Sequence, residues 1–214
     1  MLSSRHTTGF SPFPIMRSQG FSLLEVLVSL VIIALGLLGL AGLQVRMQQA
    51  ELESYQRNQA VIILYDIVER IQTQKASVSC FTITTDAANG TPFIGAGASA
   101  PTGCAASSAA NNTLADNALA ELDGLLDGAS EKSGGDSIGA IEGARACISY
   151  GGASTEVIGA SGSTLPGTGV YTVVVSWQGR SDSAPPTVNC ANDQYGSSTK
   201  RRAVSTTFRL AVLS

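Results

Sequence analysis

The chain has 214 residues, a formal net charge of −3 from 13 basic and 16 acidic residues, and 44% hydrophobic residues, which leaves room for one globular domain beside a membrane segment. The acidic balance and a single basic cluster, Lys200-Arg201-Arg202, which reads as a solvated loop or the start of a strand, give no ground to expect a nucleic-acid partner. The only histidine, His6, lies close to the start, so Ser-His-Asp and Cys-His mechanisms and histidine metal sites are excluded from the body of the chain.

A short polar leader with Arg5 and Arg17 and no acid ends at Gly20, and an uninterrupted apolar run follows from Phe21 to Leu43. Glu25 is the sole formal charge in that run. Placing an ionised side chain at such a depth costs roughly 2.5–3.5 kcal/mol even on lenient insertion scales, so the carboxylate needs a partner or a function. A secretory signal would place its cleavage site after the apolar stretch, whereas here the glycine precedes it. A basic leader before an acidic body also predicts a cytoplasmic N-terminus and an exported C-terminal part.

No proline interrupts residues 21–76, which predicts one continuous helix. Its first part, 21–43, is apolar all round, as a lipid-embedded or bundle-core helix is. Gly36, Gly39 and Gly42 recur every third residue there, a spacing that permits close helix approach. Its second part, 44–76, turns amphipathic, with Ala60, Ile63, Leu64, Ile67, Val68 and Ile71 at steps of three and four, and that stripe should pack on a sheet.

Residues 87–112 are rich in Gly, Ala, Ser, Asn and Pro and read as a loop. A short amphipathic helix is predicted over 113–126, with Thr113 as N-cap and Gly128 as the stop. Asp116, Glu121, Asp123 and Asp127 read as its solvated face and not as a catalytic carboxylate pair. Residues 130–143 are again loop-like. Strands are predicted over 144–150, 170–178 and 203–213, the last two by clean alternation, as an antiparallel, half-buried sheet. Tyr171 and Trp177 alternate with valines and belong to its core.

Cys80, Cys104, Cys147 and Cys190 are widely spaced, with no Cys-x-x-Cys. In an exported domain an even count reads as two disulfides. Three pairings are possible; Cys80–Cys104 with Cys147–Cys190 is favoured, and the sequence alone does not decide the connectivity. No metal site, cofactor or enzymatic activity is expected.

Gly20 to Gln44 resembles the type IV prepilin signal and is similar to the PilV-type minor pilins in particular. Residues 171–179 (Tyr-Thr-Val-Val-Val-Ser-Trp-Gln-Gly), the later Cys190 and residues 200–204 (Lys-Arg-Arg-Ala-Val) also look like that group, while residues 81–143 carry no resemblance. The resemblance implies a type IV pilin-like α+β fold, a long N-terminal helix on a small C-terminal antiparallel sheet, which the periodicity reaches independently. It implies peptidase cleavage after Gly20, N-methylation of Phe21, and pairing of Glu25 with the Phe21 amine of an adjacent subunit. The domains expected are a leader (1–20), a transmembrane and assembly helix (21–43), its amphipathic continuation (44–76) and a periplasmic domain (77–214).

A minor pilin that primes or enters a type IV pilus is the function implied, located in the inner membrane as a single-pass protein and then on the cell surface. Other minor and major pilins, the prepilin peptidase, the inner-membrane assembly platform and a tip adhesin are the implied partners. A minor pseudopilin of a type II secretion system, or a binding module at a fibre tip, is the alternative. Met16 to Gly20 alone would make a complete leader, so translation is expected to start at Met1 or Met16.

Overall fold

The proline-free stretch winds into one α-helix, α1, Leu23–Thr73, in the computed structural model, which describes residues 20–128, 132–133, 136–137, 141–159 and 161–211. The expected leader up to Gln19 lies outside the described residues. The helix is shorter at both ends than 21–76. At its C-terminal end Thr73 Oγ1 donates to the carbonyls of Glu69 and Arg70, a back-bond that bends helices. A 3₁₀ segment, Lys75–Cys80, follows, and Ser77 leaves helical dihedrals within it.

The chain divides into two compact units, Met1–Met47 and Gln48–Ser214. The first unit is described by its helical residues alone. In the second, α1 buries Gln56, Ala60, Leu64, Ile67 and Ile71, at the three-and-four spacing that puts them on one face. These apolar residues share one core with Ala115, Ala118, Leu119, Leu122 and Leu126 of a second helix, α2 (Ala109–Leu126), and with Tyr171, Val173, Val175 and Trp177.

A four-stranded antiparallel sheet carries that core, in the order β1 (Ile94–Gly95), β4 (Arg145–Tyr150), β5 (Val170–Gln178), β6 (Arg201–Arg209). The pairing of β5 with β6 runs unbroken from Val170↔Arg209 to Gln178↔Arg201. A separate two-residue ladder joins β2 (Lys132–Ser133) to β3 (Asp136–Ser137) in the segment expected to be loop. The architecture is α+β and pilin-like, a long N-terminal helix whose part within Gln48–Ser214 packs with a small antiparallel sheet.

Four details differ from expectation. First, α2 starts at Ala109 because Ser108, not Thr113, is its N-cap, accepting from Asn111 N–H; Thr113 Oγ1 donates to Ala109 O within the helix. Second, the Gly-rich loop contains β1, held from outside its own sequence by Asp123 Oδ1, which accepts Gly95 N–H at 2.7 Å. Third, β5 is buried on both faces: Val174, with Cys147, Cys190, Ala191 and Tyr195, forms a second small cluster behind the sheet. Fourth, β6 begins at Arg201 and not at 203, so the basic cluster is the start of a strand, with Lys200 exposed and the Arg201 side chain only 5% exposed. Residues 212–213 of the expected last strand lie outside the described residues.

Candidate functional site

Helix α1 begins after Ser22, whose carbonyl accepts the N–H groups of Glu25 (3.0 Å) and Val26 (3.3 Å). Glu25 therefore stands in the first helical turn, where the partial positive charge of the unpaired N–H groups favours an anion. Ser22-Leu-Leu-Glu25 also has the Ser-x-x-Glu spacing of a capping box. The reciprocal side-chain bonds of such a box are not formed among the described residues, so the first-turn position is the local feature that favours the carboxylate. Ser29 Oγ donates to the Glu25 backbone oxygen at 2.7 Å. No hydrogen bond or ion pair to the Glu25 carboxylate is present among the described residues, so a partner for it would come from elsewhere once the segment leaves water.

Gly20 and Phe21 precede the helix in exposed chain without regular structure, and Phe21 is 83% exposed. Every residue from Gly20 to Leu52 is exposed. Leaving a large aliphatic side chain in water instead of burying it forgoes roughly 1.5–3 kcal/mol. Summed over Leu23, Leu24, Leu27, Leu30, Ile32, Leu35, Leu38 and their neighbours, that surface is compatible with lipid or with packing by other helices. Methyl groups built on Gly36, Gly39 or Gly42 would meet nothing within 4 Å, so no contact among the described residues requires glycine there.

The second unit is fastened by covalent and polar ties. Cys80 is bonded to Cys104, joining the 3₁₀ segment to the loop before α2, and Cys147 of β4 is bonded to Cys190; the Cα atoms are 5.6 Å apart in both. Gly90 (φ +65°) packs so closely on Cys190 that an added Cβ would collide with the Cys190 backbone. The acids of α2 do more than face solvent: Asp116 accepts the N–H groups of Gly103 and Cys104 at 3.0 Å, and Glu121 pairs with Arg70 at 2.7 Å. Glu53 of α1 pairs with Arg202 of β6 at 2.6 Å.

The β4–β5 connection is clasped to the sheet end. Tyr150 OH donates to Glu156 Oε1 at 2.6 Å and Gly167 N–H donates to the same oxygen at 2.9 Å. Those hydrogen bonds, that from Tyr150 foremost, hold the Glu156 carboxyl below the usual glutamate range. Burial, with the negative charge of Glu156 and the neighbouring Tyr150 adding to it, pushes the Tyr171 phenol up to about 12. Tyr150, Tyr171 and Phe208 pack in series, the first pair tilted with ring centroids 4.7 Å apart and the second stacked at 5.5 Å. No cluster of three metal-ligating side chains occurs among the described residues.

The prokaryotic N-terminal methylation motif matches residues 15–41, bracketing Gly20, Phe21 and Glu25. With the helix-on-sheet fold, it supports a type IV pilin-like protein, of the pilin or pseudopilin kind, anchored by a single apolar helix. Proteins bearing this motif are structural subunits. Comparison with curated proteins and with solved structures gives no match.

Proposed function

We propose that the protein is a minor pilin that primes or enters a type IV pilus. The methylation motif over 15–41 carries this reading, because it combines the glycine, the following phenylalanine and the isolated acid in one segment. Prepilin peptidase removes residues 1–20, Phe21 becomes the N-methylated amino terminus, and 21–43 anchors the chain in the inner membrane with the remainder in the periplasm. The free Phe21 amine and the Glu25 carboxylate of a neighbouring subunit then form an ion pair that offsets the burial of both charges and sets axial register. The Glu25 carboxylate, unpartnered among the described residues, supports that role. Other pilins and the assembly platform are the partners, and the resemblance of residues 171–179 and 200–204 to PilV-type proteins favours a pilus over a secretion system.

Two measurements test the reading. Mass spectrometry of the mature protein should find Phe21 at its N-terminus, N-methylated, and Gly20→Arg should leave an uncleaved, membrane-retained precursor. In a strain lacking the native copy, Glu25→Val should be processed and inserted normally yet fail to restore surface pili. Normal piliation by Glu25→Val, where the strain without any copy has lost its pili, sinks the assigned role. Loss of type II secretion with intact pili would transfer the protein to the pseudopilins.

A further inference from the structure

We propose that the outer edge of β6 is a docking site for an extended strand of a partner protein, one with an uncharged β-branched centre flanked by acidic residues. The inference concerns backbone groups within Gln48–Ser214 and stands apart from the role given to Phe21 and Glu25.

The register identifies the free groups. Gly179 N–H donates to Lys200 O at 2.7 Å, one step beyond the Gln178↔Arg201 pair. In an antiparallel ladder, mutually bonded pairs recur at every second residue, so Arg202, Val204, Thr206 and Phe208 direct their backbone groups to β5. Ala203, Ser205, Thr207 and Arg209 direct theirs outward. The other side of β5 agrees, since Gly151 N–H donates to Val170 O and the even-numbered residues of β5 therefore bond β4. Strand β6 ends the sheet order, and among the described residues no backbone bond to Ala203, Ser205 or Thr207 is found on its outer side. Arg201, of the same parity, sends its N–H to Ser198 O and closes one end of the open stretch.

Natural sheets blunt such edges with a central lysine, a proline, a bulge or a cover. Here residues 203–208, Ala-Val-Ser-Thr-Thr-Phe, contain no charge, proline or glycine, and the register has no bulge. Ser205 and Thr207 are exposed.

Charge selects the occupant. Between Gln194 and Ala211 the basic residues are Lys200, Arg201, Arg202 and Arg209, and there is no acid. Arg202 is offset by Glu53, and Arg201 is buried with its guanidinium donating to the carbonyls of Val188 and Pro186. Lys200 and Arg209 stand exposed at the two ends with no carboxylate within 4.0 Å among the described residues; Arg209 donates only to the carbonyls of Thr155 and Thr168. Acids at both ends of an added strand would meet these cations. A second copy of this chain offers no counter-charge, because its own edge segment brings Lys200 and Arg209 to the seam and no acid between Gln194 and Ala211. Strand addition of this kind takes its affinity from main-chain hydrogen bonds and its selectivity from flanking side chains.

The test uses the full chain in detergent micelles and two synthetic peptides of alternating Thr and Val, one with paired Glu at each end and one with paired Lys. Amide exchange at Ala203, Ser205 and Thr207 should slow with the Glu-flanked peptide, which should bind about tenfold tighter than the Lys-flanked one. Thr207→Pro removes one outward N–H, a substitution that edge strands tolerate, and should weaken binding about fivefold or more while leaving Trp177 fluorescence unchanged. Should that variant misfold, Lys200→Glu with Arg209→Glu decides: a reversed peptide preference supports the proposal, and an unchanged preference overturns it. Protection by neither peptide, equal protection by both, protection away from β6, or edge amides already protected by self-association each overturn it.

Discussion

Ile67 and Ile33 lie on the same helix, and replacing each by alanine should have unequal consequences for the folded domain. Ile67 is fully buried among α1, α2 and the sheet, whereas Ile33 is 57% exposed within Met1–Met47. Truncating a buried isoleucine removes transfer free energy and leaves a cavity, together about 2–5 kcal/mol. At roughly 2–4 °C per kcal/mol for a domain of this size, Ile67→Ala should lower the Tm by about 5–15 °C. Ile33→Ala deletes no intrachain packing and should change that Tm by no more than about 2 °C. The sole tryptophan, Trp177, is 2% exposed in the same core, so its fluorescence during thermal or urea unfolding in micelles reports on this unit. An Ile67→Ala loss under about 1 kcal/mol, or equal losses at both positions, would refute the assignment of α1 to two environments.

Opening Cys147–Cys190 as a double serine variant should cost about 4 kcal/mol by loop entropy for a separation of 43 residues, slightly more than opening Cys80–Cys104 at 24, as paired denaturation curves would reveal. Gly90→Ala forces a Cβ into the Cys190 backbone from a left-handed conformation, so oxidative refolding should yield less of the Cys147–Cys190 pair by peptide mapping, while Gly103→Ala, with open space around it, should not. The carboxyls of Glu156 and Asp86 are both depressed, so the folded form binds fewer protons than the unfolded one and the stability they add is present above their ordinary values of 4.5 and 3.8 and lost as the pH falls through the folded values. Protection factors at Val157, Gly167 and Asn89, taken against intrinsic exchange at each pH, should therefore fall on that acid side before the sheet opens, and a uniform response across the domain counts against local clasps.

Elements set by local periodicity were legible in the sequence, and those held by distant partners were not. The stripe Ala60, Leu64, Ile67, Ile71 follows from a spacing of three and four, and β5 spans the residues that alternation marks out, 170–178. Gln56 extends the same stripe but is polar, so hydropathy hides it; it is buried and its Oε1 is without a partner among the described residues. Strand β1 is two residues in a Gly-rich loop and owes its place to Asp123, 28 residues away. The acids of α2 look alike in composition and differ only in what folds against them: Asp116 ties the Cys104 loop, Asp123 ties β1, Glu121 ties Arg70. No period or propensity encodes such nonlocal bonds. Ser108 and Thr113 are both good N-cap residue types, so type alone does not choose between them; in the fold Ser108 Oγ accepts Asn111 N–H, and Asn111 and Asn112 bond Ser107 beside it.

The same distinction explains why the N-terminal segment was the most readable part and yet the least determined by its own fold. Its apolarity, its three glycines and Glu25 answer to no contact in the described chain: the side chains are exposed, the glycine positions open, the carboxylate unpartnered. A soluble monomer would not retain an exposed apolar run of this length, because each such side chain forgoes roughly 1.5–3 kcal/mol that burial would supply. The segment is therefore specified by surroundings that lie outside the described chain, and its length and apolarity suit lipid. Under the function proposed above, an acid that leaves lipid for a fibre must find a cation there, and the new amine at Phe21 of an adjacent processed copy, four residues before Glu25 in sequence, would supply it.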